Sequence, residues 1–254
     1  MAEDYGNNQS SSTSVKRWGV LKQHILDNKI NFALWTTRII TILFFILYLI
    51  PIVGNPYDAY YKVLMSSAAT SALRLHQRIP RIQLNLQFIE LLLVEDSCHY
   101  LLYSLIFLYA SPVTMVLLPV FLFAVLHAAS YSLTLLDALG QNCCWPARLS
   151  ISLVEFQSRN ILRLCAFCEI LILPLTLILV FTGRAGLLTP FIYYHFFKMR
   201  LSSRRNQFTR NTFHEMRGAL GSVSQKPAVP GIIRWLINTI LSITAQLAPN
   251  PVPQ

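Results

Sequence analysis

The sequence predicts an all-α, polytopic integral membrane protein with three to four membrane-spanning or hairpin helices plus interfacial amphipathic helices. Three observations predict it. Of the 254 residues, 54% are hydrophobic and only 13% are charged, against about 25% charge on a typical soluble domain. The charges are also segregated: none is ionised from Ile39 to Tyr57 or from Ser97 to Leu136, and Glu169 stands alone between Leu164 and Gly183. An apolar run of about 20 residues crosses a hydrocarbon core of about 30 Å as a helix. Finally, nine basic residues follow Gly183 (Arg184, Lys198, Arg200, Arg204, Arg205, Arg210, Arg217, Lys226, Arg234) against a single acid, Glu215. Lys and Arg near span ends are retained on the cytosolic side, which places the C-terminal region there.

Residues 1–30 form a polar and basic tail. Met1 to Ser14 lacks an apolar core, and the first apolar run starts too late for a cleaved signal peptide, so the first span is expected to serve as an uncleaved anchor. A membrane domain follows over 31–186. Its first span covers about 32–53 and is ended by Pro51, Gly54 and Pro56. Asp58 to Arg78 reads as a helix with small residues, Ser66 to Ala69, on one side, broken at Arg78-Ile79-Pro80-Arg81. Ile82 to Asp96 reads as an interfacial helix feeding directly into the uncharged run over 97–136.

That run of 40 residues would measure about 60 Å as one helix, twice a bilayer core. Pro112 lacks a backbone donor and disfavours helix at Ser111, so a hairpin bending near residue 111 is expected. Its first arm, Cys98 to Ala110, is short, which leaves open a full two-pass hairpin or one wedged in a single leaflet. Gly140 to Pro146 reads as a loop, Arg148 to Arg163 as a polar helix, and 161–183 as the last span. A two-pass hairpin gives four crossings with both termini cytosolic, whereas a single pass gives three with a lumenal N-terminus. The five basic residues between Lys16 and Arg38 favour four.

Residues 187–254 form the basic cytosolic region. Phe191 to Phe197 followed by Lys198, Arg200, Arg204 and Arg205 reads as an aromatic belt with cations for anionic headgroups, with Tyr193 and Tyr194 at the interface. The aromatics precede the basic residues as a block rather than interleaving with them, which argues for a membrane surface and against nucleic acid. Over 231–248, steps of 100° gather Ile232, Ile233, Leu236, Ile237, Ile240, Leu241, Ile243 and Leu247 on one half of a helix, with Trp235 among the polar residues of the other half. Trp235, Ile237 and Ile240 are therefore expected at the membrane interface, with internal packing of the helix as the alternative.

The intramembrane polar residues are His99, His127 and Glu169. Glu95 and His99 lie four apart, a spacing that suits a metal or proton pair, but at a membrane edge a structural role is favoured. Glu169 is expected to be neutral or paired, with His127 or Arg163 as partner and helix packing as its role, so that Glu169→Gln leaves folding intact. Cys165-x-x-Cys168 lies within a span and reads as packing rather than a redox or zinc pair, and Cys143-Cys144 is a candidate lipid-attachment point. Phosphate-binding Gly loops, nucleophile elbows and zincin motifs are absent. No enzyme is expected, and no catalytic, cofactor or metal site.

Long strings then point to a family: Thr70-Ser71-Ala72-Leu73-Arg74-Leu75-His76-Gln77-Arg78-Ile79-Pro80, the stretch Glu95 to Phe107, Pro190-Phe191-Ile192-Tyr193-Tyr194, and Ser202-Ser203-Arg204-Arg205-Asn206. Over roughly Asn31 to Leu247 the chain resembles the transmembrane protein 33 family, also called Krüppel homologue 2, which has fungal relatives at nuclear pores. The resemblance implies an endoplasmic reticulum and nuclear envelope protein that shapes the tubular network and opposes reticulon-type tubulation. It further implies other membrane proteins of the reticulum as partners (reticulon-type shaping proteins, channels or stress sensors), nuclear pore components, and roles in calcium homeostasis and the unfolded-protein response. The leading expectation is a non-enzymatic membrane-shaping and scaffolding protein; the alternative is an ion channel or regulator of calcium release in the endoplasmic reticulum.

Overall fold

The computed structural model describes residues 19–51, 54–79, 85–140, 144–203, 206–245 and 247, with side chains undescribed at 86, 87, 89 and 90. Arg204, Arg205, Cys143 and the Asn8-Gln9-Ser10 sequon lie outside the described residues. Residues 19–27 are helical and lead into α1 (Lys29–Leu49). There follow α2 (Pro56–Arg78), α3 (Leu86–Val94), α4 (Asp96–Leu108), α5 (Thr114–Ala138), α6 (Trp145–Ile151), a π-helical turn (Ser152–Phe156), α7 (Ser158–Phe181), α8 (Leu188–Ser202), α9 (Gln207–Ser224) and α10 (Gly231–Ala245). The chain is an all-α membrane protein: α1, α5 and α7 are each long and apolar enough to cross a bilayer.

Local chemistry sets the boundaries. Gly54 takes a positive φ of 87° after α1, a conformation with little cost for glycine alone. Asn55 then caps α2, its side chain accepting from the Tyr57 N–H at 3.0 Å, with Pro56 at the first helical position. Asp58 in the first turn and His76 and Arg78 in the last oppose the helix dipole. Pro112 separates α4 from α5, as its missing donor requires. Gly183, at φ 69°, closes α7, where the Arg184 N–H reaches back to the Leu179 carbonyl at 2.8 Å. Two elements depart from the sequence reading. The interfacial helix does not run into α4 but stops at Val94, with Glu95 extended; and the polar helix over 148–163 is interrupted by the π-helical turn before α7 restarts at Ser158.

Successive long helices run antiparallel. Between α1 and α2, hydroxyls make a ladder: Thr41 with Ser66 (2.8 Å), Thr70 with Thr37 (2.8 Å), and at the end Gln77 donating to Asn31 (3.1 Å). Ser104 of α4 donates to Ser67 of α2 at 3.1 Å, and Trp35 of α1 to Ser132 of α5 at 2.9 Å. In a bilayer the lipid is as apolar as a Leu side chain, so small residues that let backbones approach, with hydrogen bonds between helices, hold such pairs. This explains how the polar α2 joins the bundle. At one end of the bundle the turns meet: the Ser111 N–H donates to the Arg184 carbonyl at 2.8 Å, and Tyr48 pairs with Thr114 at 2.9 Å.

The core is aromatic. Tyr60, Tyr103, Phe107, Tyr193, Phe196 and Phe197 are fully buried together with Leu64, Leu117, Ile172 and Leu201. Tyr103 lies 5.3 Å from Phe196 and 5.0 Å from Phe107, centroid to centroid, within the range of favourable ring pairs. Thus α8 is a core helix, packed between α4 and α7.

Candidate functional site

One face of α7 turns Glu169 into the junction of α4, α8 and α9, where the residue is fully buried. Arg200 of α8 meets it as a fork, Nη2 to Oε1 at 2.9 Å and Nε to Oε2 at 3.3 Å. Tyr100 of α4 donates its hydroxyl to Oε1, and Thr209 of α9 donates to Oε2 at 2.9 Å. The Tyr193 hydroxyl donates to the Glu169 carbonyl at 2.8 Å. The third arm of the guanidinium, Nη1, reaches Asp96 Oδ1 at 3.2 Å, and Ser203 donates to the same oxygen at 3.1 Å. Arg200 also lies over the Tyr100 ring, 5.2 Å from its centroid. Bidentate Arg–carboxylate geometry adds direction to charge, and the aromatic face supplements it.

Four helices therefore meet on one carboxylate. With both partners buried and their hydrogen bonds made, this is a structural clamp: it fixes the register of α4, α7, α8 and α9.

The partner differs from the sequence expectation. Arg163 is six positions from Glu169 on the same helix, which turns it 120° away, and it pairs with Glu215 at 2.6 Å on an exposed face. His127 stacks on Phe123 and faces Arg38, Arg74 and Arg78 across a cleft. Nor do Tyr193 and Arg200 face headgroups: both are buried, because α8 directs Tyr193, Phe196, Phe197 and Arg200 onto one face at helical spacing. Tyr194 and Lys198, from the other side of α8, are exposed. The signal for Arg200 was legible in that spacing, which an aromatic block followed by cations obscured.

Glu95 and His99 do not pair. Arg78 of α2 takes Glu95 in an ion pair, and buried His99 donates from Nε2 to the Leu93 carbonyl at 2.6 Å, with Asp96 3.8 Å from Nδ1. Among the described residues no group of three or more His, Cys, Asp or Glu is placed to hold a metal. Cys165 and Cys168 are buried free thiols. On α10, Trp235 and Ile240 are exposed with Ile232, Leu236 and Ile243, whereas Ile237 is buried. Arg217 of α9 ties the helix down by donating to the Thr244 and Leu241 carbonyls at 3.0 and 3.2 Å. The helix thus docks on the protein along one edge and leaves an apolar face free of it.

The family model for Transmembrane protein 33/Nucleoporin POM33 matches residues 13–250. The chain belongs to this family. It is 48% identical over 231 residues to Krueppel homolog 2 of Drosophila melanogaster, an alignment covering 90% of this chain and 84% of the relative. To Transmembrane protein 33 of Homo sapiens it is 42% identical over 230 residues, covering 90% and 93%. To the Transmembrane protein 33 homolog of Caenorhabditis elegans it is 40% identical over 232 residues, covering 90% and 85%. No solved structure matches the chain.

Proposed function

We propose that this membrane protein acts, without catalysis, on the bilayer of the endoplasmic reticulum and nuclear envelope, shaping tubules and scaffolding membrane partners. The observation that carries the proposal is the free apolar face of α10, with Ile232, Leu236, Ile243 and Trp235 exposed on a helix whose opposite edge is tied to α9. Arg234 is the sole charge on α10, so its binding rests on buried apolar area. The nucleoporin name borne by part of the family supports a place beside pore components.

Helix order supports the orientation. The antiparallel pairs α1–α2, α4–α5 and α7–α8 put their turns at one end, where Asp58, Lys62 and Arg184 are the nearest charges. The opposite end carries Arg78, Glu95, Asp96, Arg163, Glu215 and Arg217. Three hairpins entering from the cytosol keep both termini on that side. Full-length wild-type protein reconstituted in liposomes is expected to tubulate them, and the Leu236→Glu, Ile243→Glu variant to fold yet lose that activity. A cation flux without shape change would support the channel reading instead.

A further inference from the structure

A guanidinium without a carboxylate partner inside a span needs a reason. Arg38 sits midway along α1, is only 7% exposed, and makes no hydrogen bond or ion pair with another described residue. A bare charge at the centre of a transmembrane helix costs about 2.5–3.5 kcal/mol on insertion scales. Arg38 turns into a cleft between α1, α2 and α5, and Arg74 of α2 lines the same cleft without an ion pair to the described carboxylates Glu95, Asp96 and Glu169. The acids nearby are already engaged: Glu95 by Arg78, and Asp96 and Glu169 by Arg200.

Among apolar side chains such as Leu34, Phe123 and Ala124, the rest of the lining carries hydroxyls and one carboxylate, Asp96, which Arg200 already holds. Ser71 and His127 lie beside the two arginines, and the Tyr131 hydroxyl, unpaired and shielded from solvent, lines the adjoining space. That space, about 530 Å³, runs to a rim at Gln77, Ser130 and Thr134, which are exposed at the polar end of the bundle. The cleft therefore gathers fixed positive charge and hydroxyl donors, with its one carboxylate engaged by Arg200, and opens at the polar end of the bundle.

We propose that this cleft binds a phosphate group, held between the Arg38 and Arg74 guanidiniums with Ser71 and Tyr131 as further donors. Each guanidinium presents five N–H donors in a planar fork that matches phosphate oxygens. A phosphate supplies the directly contacting acceptor and negative charge that Arg38 lacks, since Asp96 in the same lining is held by Arg200. The group comes either from a lipid headgroup sliding in from the cytosolic leaflet or from a soluble phosphate entering over the rim. The site is independent of α10 and of membrane shaping.

The test uses the full chain purified in detergent. Thermal unfolding is followed with dioctanoyl phosphatidic acid, with dioctanoyl phosphatidylcholine and with sodium phosphate. A dose-dependent rise in melting temperature with the lipids alone assigns a headgroup site, and a rise with sodium phosphate as well assigns a soluble phosphate. Arg38→Gln and Arg74→Gln should each weaken binding by about tenfold or more, as the loss of a charge-assisted contact requires. Arg38→Lys should fall between, and Arg159→Gln, on the exposed start of α7, should bind like wild type. Removing an unpaired charge from a span should not lower the ligand-free melting temperature, which separates a site residue from a structural one. No rise with any of the three ligands, or unchanged binding in Arg38→Gln, overturns the proposal.

Discussion

Glu169→Gln is the sharpest test of the buried clamp. The carboxylate takes two donors from Arg200, one from Tyr100 and one from Thr209. A carboxylate has room for all four on its two oxygens. An amide keeps one oxygen and turns two N–H donors toward a guanidinium and hydroxyls that themselves donate. It also leaves Arg200, 3% exposed, with only the partly exposed Asp96 as counter-charge. Breaking a buried pair by removing one partner costs about 3–5 kcal/mol, and at about 2–4 °C per kcal/mol for a chain of this size the melting temperature should fall by about 6–20 °C. This revises the expectation, drawn from amino-acid type alone, that the amide is tolerated. The assay is thermal unfolding in detergent, with Glu169→Leu/Arg200→Met as the companion. Replacing both charges by apolar groups of similar size is often neutral, so the double variant should recover most of the loss. A Glu169→Gln protein melting within about 2 °C of wild type, below one kcal/mol on the same conversion, would refute the clamp. A double variant worse than the single would refute the pairing.

On the exposed flank, Glu215→Gln removes the Arg163 ion pair, whose side chains are both more than half exposed; screening by water limits its effect to about 1 kcal/mol or less, measurable as a melting shift of a few degrees at most. Brief maleimide treatment of the folded protein, read by mass spectrometry, should label Cys144 and spare Cys165 and Cys168, which are 1% and 3% exposed; denaturation should expose all three. In the proposed orientation, with hairpins entering from the cytosol, Asn8 should carry no glycan in cells; an endoglycosidase-sensitive mass shift would reverse that orientation.

The membrane class and the long spans were legible because each is a one-dimensional property: α1, α5 and α7 coincide with stretches nearly free of charge. The break at Pro112 was equally legible, since proline acts on its own neighbours. What escaped depends on contacts distant in sequence. Polar α2 carries Lys62, Arg74 and Arg78, and nothing in its hydropathy shows that Ser66, Ser67 and Thr70 join it to α1 and α4. The Glu169 partner lies 31 residues away on another helix, and an arginine in a cationic stretch looks like any other until the face it shares with Tyr193 and Phe196 is traced. On α10 the wheel identified the apolar arc; which edge of it docks, Ile237 against α9 rather than toward lipid, depends on Arg217, outside the helix.

The clamp also has a history within each act of synthesis. Glu169 leaves the ribosome 31 residues ahead of Arg200, an interval of about 2–6 s at ordinary elongation rates of about 5–20 residues per second. During that time α7 enters the bilayer with an acid and no arginine to meet it, and only Tyr100 of α4, made earlier, is at hand to donate to it. The segment is completed when α8 folds back and delivers the guanidinium. A premature stop anywhere between Thr182 and Met199 would therefore leave a membrane helix whose carboxylate has no counter-charge, the kind of nascent product that quality control removes before it reaches its destination.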